Sequence, residues 1–260
     1  MTARITPYEL VLEPLEITAF PAIRAEAEQR GRDTRRRDQF VLLGHVGATL
    51  KEIVPDDAPP DSLEEFAELL YHGFQFWSFG RRLYTFDPEV VDLLTAPHAS
   101  LEDWRLAGCP SCYLQLPEQR IWARVSVDAP YEPADGIFVV VDDTEPAPET
   151  GVHLRAQLVL GMRPDRAGLS LVSYRTDLDP RSAPALAEHP WRENDAPFAD
   201  LTPGSARHGH LTLATTSELQ ALVIRALHHI DRNTDQLIAE SGSAADGESK
   251  LPHLRVVRGA

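Results

Sequence analysis

The run Ile137-Phe138-Val139-Val140-Val141 is continuously β-branched and aromatic, and it restricts the fold more than any other stretch of the chain. A strand that is apolar on both sides must be covered above and below, which places it inside a sheet. Its neighbours alternate instead. Cys112, Leu114 and Leu116 fall on one side of an extended segment, with Tyr113 and Gln115 on the other. Ile121, Ala123, Val125 and Val127 oppose Trp122, Arg124 and Ser126, while Leu154, Ala156, Leu158 and Leu160 alternate with Arg155 and Gln157. Period two marks a half-buried strand. Pro117 sits in a short break that suits a hairpin, and Pro164 with Gly168 supplies turn chemistry before the extended stretch 169–175. The expectation is an antiparallel β-meander of about five strands between Cys112 and Asp177.

Such a sheet needs helices over it. Ser62 to Glu65 has the form of a capping box, and Leu63, Phe66, Leu70, Gly73, Phe74 and Trp77 follow on one helical face. Leu69, Tyr71, Phe76 and Phe79 widen that face, so this helix is expected to touch neighbours on two sides and to be the main cover of the sheet. Thr215 to Glu218 opens a last helix with the stripe Leu219, Leu222, Val223, Ala226, Leu227, Ile230 and Leu237. Pro21 is suited to open a helix reaching about Gln29. From Arg35, the residues Phe40, Leu43, Gly47, Leu50 and Val54 keep helical spacing, with Gly44 and Gly47 pointing to close packing. Arg82 to Phe86 reads as a strand and Pro88 to Leu94 as a short helix, whereas residues 1–20 form a short strand or a wrapped arm. The expected architecture is α+β: a single domain over residues 1–240, packed by amino-terminal helices and a carboxy-terminal helix. Residues 241–260 follow as a flexible linker and tail, in which Leu254 to Arg258 is an edge strand or free.

Few residues stand in patterns that carry chemistry. Cys109-Pro110-Ser111-Cys112 has the spacing of a redox dithiol, but Cys112 leads into a strand rather than a helix, so no dipole lowers a thiol pKa there. A zinc site would need His98 or His153 to complete it. An ordinary turn with half-buried thiols accounts for the pair. His208 and His210 share a face if extended, but no acidic residue stands at a ligand spacing, and solvated or capping histidines are the simpler reading. Asp128, Glu132 and Asp135 belong to one turn, and Asp142, Asp143 and Glu145 to the opposite edge, so they do not form one paired-acid site. Arg35-Arg36-Arg37, supported by Arg30 and Arg32, is the one concentrated basic run, suited to a phosphate or an acidic partner, or to plain solvation of a helix start. Residues 179–209 carry five prolines and few apolar anchors beyond Trp191 and Phe198. Connections of that kind are binding loops, lids or surface straps.

Charge bounds the function. The 260 residues carry a formal net charge of -15, which argues against a general phosphate-binding surface and makes nucleic acid an unlikely partner. Only Lys51 and Lys250 are lysines, leaving little room for Schiff-base or phosphate-loop lysine chemistry. No apolar run approaches the ~18 residues of a membrane span, and the acidic start lacks a secretory h-region, so a cytoplasmic protein that does not engage membrane is the expectation. No cofactor motif appears. The leading expectation is a soluble acidic module that binds or regulates another protein, in one form an inhibitor or immunity-like protein that masks a basic partner. The alternatives are an enzyme of hydrolase-like class with its site under the 179–209 strap, and a Cys-x-x-Cys redox or metal-binding protein.

Overall fold

The computed structural model describes residues 3–54, 56, 62–94, 110–118, 120–123, 132–142, 153–160, 170–172, 211–213, 216–243 and 245–258. Nine strands are seen among them: β1 (Leu83–Phe86), β2 (Ser111–Gln115), β3 (Ile121–Ala123), β4 (Glu132–Asp142), β5 (His153–Leu160), β6 (Ser170–Val172), β7 (Leu211–Leu213), β8 (Ile238–Glu240) and β9 (His253–Val256). Their order is β6-β5-β4-β2-β1-β9-β8, with β3 joined to β4 and to β7 beside this path. The helices are α1 (Ala19–Arg30), α2 (Arg37–Phe40), α3 (Gly44–Ile53), α4 (Ser62–Ser78), α5 (Pro88–Leu94) and α6 (Thr216–Arg232).

The antiparallel expectation holds for part of the sheet and fails for the rest. β2, β4, β5 and β6 are neighbours that alternate in direction, with Tyr113 opposite Phe138 and Ile137 opposite Leu158. β1, however, runs parallel to both β2 and β9, and β3 runs parallel to β7. The sheet is mixed. Between β1 and β2 the chain carries α5, and a crossover of that kind returns the chain in the same direction, which a tight hairpin cannot do. The break at Pro117 also does not close a hairpin with the next segment. β2 pairs with β4, whereas among the described residues the short β3 meets the Glu132–Pro133 end of β4 and β7.

The uninterrupted run 137–141 has a simple cause: two apolar layers lie on opposite faces of β4. Ile137 and Val139 join Cys112, Leu114, Ala156, Leu158, Tyr84, Phe86 and Val256 beneath α5 and α6. Phe138 and Val140 join Leu83, Tyr113 and Val159 beneath α1, α3 and α4. Each layer takes every second residue, so the run 137–141 between them carries no polar one. The stripe of α6 is buried from Leu219 to Ile230 as its spacing predicts, but the helix ends at Arg232, and Leu237 follows a separate 3-10 turn in extended conformation. α4 is the principal cover of the second layer. Phe76 meets Phe138 edge-on at 5.8 Å, Phe138 lies 4.5 Å from Tyr113, and Phe74 contacts Phe20 and Phe40. Such tilted pairs add to the area they bury.

The segment read as one helix from Arg35 to Val54 is two, α2 and α3, with the chain extended at Leu43 between them. Gly44 matters because Glu26 approaches it, its carboxylate oxygen lying 3.4 Å from where a Cβ would stand, while Gly47 faces open space. The amino-terminal segment is a wrapped arm: a π-helical turn at Tyr8–Leu12 leads into a 3-10 turn at Glu13–Ile17. Leu12 sits where a side chain on Gly73 would be, so the arm lies directly on α4. Residues 253–256, read as an edge strand or tail, form β9 inside the sheet between β1 and β8.

Candidate functional site

The residues singled out from the sequence do not assemble into one place. Cys109, Trp191, His208, His210 and the whole 179–209 segment lie outside the described residues, as do Asp128, Asp143 and Glu145. Cys112 is buried on β2. Among the described residues no group of three or more His, Cys, Asp or Glu side chains is arranged to hold a metal. His229 places Nε2 3.3 Å from the Val257 carbonyl, while His228, its neighbour on α6, is buried and its pKa is lowered, first by burial.

Arg35, Arg36 and Arg37 part company. Arg35 reaches Asp33 at 3.4 Å and Arg36 reaches Asp38 at 3.5 Å, both at the surface. Arg37 instead turns onto α4, meeting Glu68, whose side chain is 3% exposed, and approaching Glu64 at 3.9 Å. One of the three is therefore a structural ion pair rather than part of a solvated patch.

The strongly perturbed groups are fixed in packing contacts. Tyr113 donates its hydroxyl to Asp135 Oδ2 at 2.5 Å, and Arg4 Nη2 lies 2.9 Å from Asp135 Oδ1. Burial, then the Asp135 charge, pushes the Tyr113 phenol upward. Arg4 also donates to the Leu116 carbonyl, and its own carbonyl accepts from Gln115 Nε2, so the network pins the amino-terminal arm to β2. Glu9 does the same at the other end of the arm, accepting from Thr6, from Ser249 Oγ at 2.8 Å and from the Lys250 N–H at 2.6 Å. Glu26 accepts the backbone N–H groups of Gly44 and His45, the first donors of α3. The His45 N–H is the largest cause that lowers its carboxyl to about 2. His72 is 1% exposed and pushed down to about 3 by burial and by the Arg155 and Arg37 charges, so it is neutral at ordinary pH.

A different surface is open. Among the described residues β8 pairs with β9 alone and ends the sheet. Ile238 is 44% exposed and Ala239 is exposed beside it. An edge strand presents one row of unpaired backbone donors and acceptors, ready for another extended chain. In sequence on either side of this strand, residues 231–250 contain Asp231, Asp235, Glu240, Asp246 and Glu248 against Arg232 and Lys250. Glu240 is engaged with His253 at 3.1 Å and with Arg255 at 3.6 Å. Asp231, Asp235 and Asp246 are exposed. Three apolar residues, Leu237 to Ala239, between Gln236 and Glu240 give too short a pattern to reveal this edge in the sequence. Among the described residues no helix is long and apolar enough to cross a membrane.

No family model matches the chain, and no curated protein matches it. Among solved structures, the crystal structure of AcrVA2 is similar at 11% identity and a TM-score of 0.45, over 91% of this chain and 69% of that one.

Proposed function

We propose that the chain is a protein-binding module that takes a basic, extended segment of its partner along the β8 edge. The observation that supports this reading is the coincidence of an open strand edge, a half-exposed Ile238 and exposed carboxylates on either side of it. Main-chain hydrogen bonds to the edge would provide affinity, and the flanking acids would select cationic side chains at alternate positions. An inhibitor or immunity-like protein that masks a basic surface is the specific form of this reading, consistent with a net charge of -15. Charge complementarity of this kind raises association rates and is weakened by salt.

The test is binding of the full chain to a synthetic peptide of alternating valine and arginine, by calorimetry at low and high ionic strength. Binding should weaken as salt rises, and Ile238→Lys, which adds a like charge at the edge, should abolish it while leaving the melting temperature unchanged. Binding that is indifferent both to salt and to Ile238→Lys would overturn the reading.

A further inference from the structure

A second site stands apart from the β8 edge and does not depend on that reading. Between the end of α1, the connection 31–35 and the end of α4 lies an open cavity of about 280 Å³. Arg24, Arg32 and Arg35 line it together with Glu28, Ser78 and Phe79. Three guanidinium groups at one depression are unusual on so acidic a chain, and the local structure explains how they come together. Gly31 ends α1 in the left-handed conformation at φ 61°, and the Arg32 N–H bonds back to the Ala27 carbonyl at 2.8 Å. That turn folds Arg32 over the last turn of α1. The connection is then clamped to α4: Gln75 Nε2 donates to the Thr34 carbonyl at 2.5 Å, and the Tyr71 hydroxyl donates to the Arg35 carbonyl at 2.7 Å.

The three arginines differ in what already holds them. Arg24 lies over the Trp77 ring at 4.1 Å and donates Nη2 to Ser78 Oγ at 3.2 Å. Its guanidinium is thus held over an aromatic surface, and it makes no ion pair among the described residues. Arg35 is shared with Asp33, whose other oxygen accepts the Arg35 N–H at 3.0 Å. Arg32 is exposed and has no side-chain hydrogen bond or ion pair among the described residues. Glu28, also exposed, is the carboxylate that remains at the rim.

We propose that this basin binds a carboxylate, held by Arg24 and Arg32 with the Ser78 hydroxyl as a further donor. A planar guanidinium presents paired donors that match the two oxygens of a carboxylate. Phosphate would fit the same donors, but Glu28 opposes a doubly charged phosphate group more than a single carboxylate group entering the basin, and three cations, Arg24, Arg32 and Arg35, against two anions, Glu28 and Asp33, leave a formal excess of one. A carboxylate of this kind comes either from a glutamate-bearing peptide or from a small organic acid.

Amide chemical shifts of the full chain separate these sources when titrated, at constant ionic strength, with Ac-Glu-Glu-Glu-NH2, with succinate and with inorganic phosphate. The amides of residues 32–35 and 78–79 should shift saturably with the peptide or with succinate, and whichever binds more tightly identifies the source. Arg32→Gln and Arg24→Gln should each weaken that binding about tenfold. Arg32→Gln should also melt as the wild type does, so that weaker binding is not lost folding. The proposal is overturned if neither carboxylate gives a saturable shift, if Arg32→Gln binds as the wild type does, or if phosphate saturates the site at lower concentration than both carboxylates.

Discussion

Replacing Glu26 tests whether a buried carboxylate on one helix holds the start of another. Its side chain is 7% exposed and accepts two backbone N–H groups, from Gly44 at 2.9 Å and His45 at 2.8 Å. Arg30 Nη2 and His45 Nδ1 complete the shell at 2.9 Å and 2.8 Å. No side chain of its own caps α3, so Glu26 supplies the cap from α1. The drop of the carboxyl from 4.5 to about 2 would correspond to roughly 3 kcal/mol if it were fully retained. The carboxylate lies just under the surface, and Arg30 and His45 are more than half exposed, so solvent screening reduces this to about 1–2 kcal/mol. Because the folded value is the lower one, the contribution is complete above the unfolded value and is lost as pH falls from about 4.5 toward about 2. Glu26→Gln should therefore lower stability by about 1–2 kcal/mol near neutral pH, a fall of roughly 2–8 °C in melting temperature for a chain of this size. Urea melts of both proteins should converge on acidification, with more than half of the difference gone by about pH 3. A variant as stable as the wild type at neutral pH, or a gap that persists unchanged into acid, would refute the assignment.

Three further outcomes follow from contacts described above. Arg37→Gln should cost about 3 kcal/mol in urea melts, because it removes the cation facing the buried Glu68; Arg35→Gln and Arg36→Gln should stay within about 0.5 kcal/mol of the wild type. Gly136→Ala should cost about 1–3 kcal/mol by the same measurement, since the new methyl would stand 2.6 Å from both the Leu114 carbonyl and the Tyr113 hydroxyl. Phe138→Ala should cost about 3–5 kcal/mol, leaving a void among Tyr113, Phe76 and His72, and a neutral result would contradict its place in the layer beneath α4.

What the sequence revealed and what it hid divide along physical lines. The run 137–141 announces its burial on both faces because each face imposes its own apolar requirement, and the broad face of α4 reads correctly for the same reason. Strand direction leaves no such trace. Nothing in Leu83 to Phe86 distinguishes a parallel partner from an antiparallel one, because side chains alternate identically in both. The position of β9 was hidden because four residues, His253 to Val256, carry too short a pattern to separate an inner strand from a tail. Arg35, Arg36 and Arg37 look alike as a run, yet their fates depend on which α4 residues lie opposite, a matter of tertiary distance. Arg32 stands close to the arginine run and reads as part of it, whereas Arg24 escaped notice because it lies eight positions earlier, and only the reversal at Gly31 brings both to one depression.

The place of β9 governs the order in which this protein can be completed during synthesis. β1 leaves the ribosome some 170 residues before β9, and through that interval the flank that β9 will occupy stays unpaired. A chain halted before His253 would keep Tyr84 and Phe86 beside a bare rim of main-chain groups, a template on which nascent copies could stick to one another. Termination before His253 therefore uncovers an inner strand, β1, rather than merely trimming the border of the sheet.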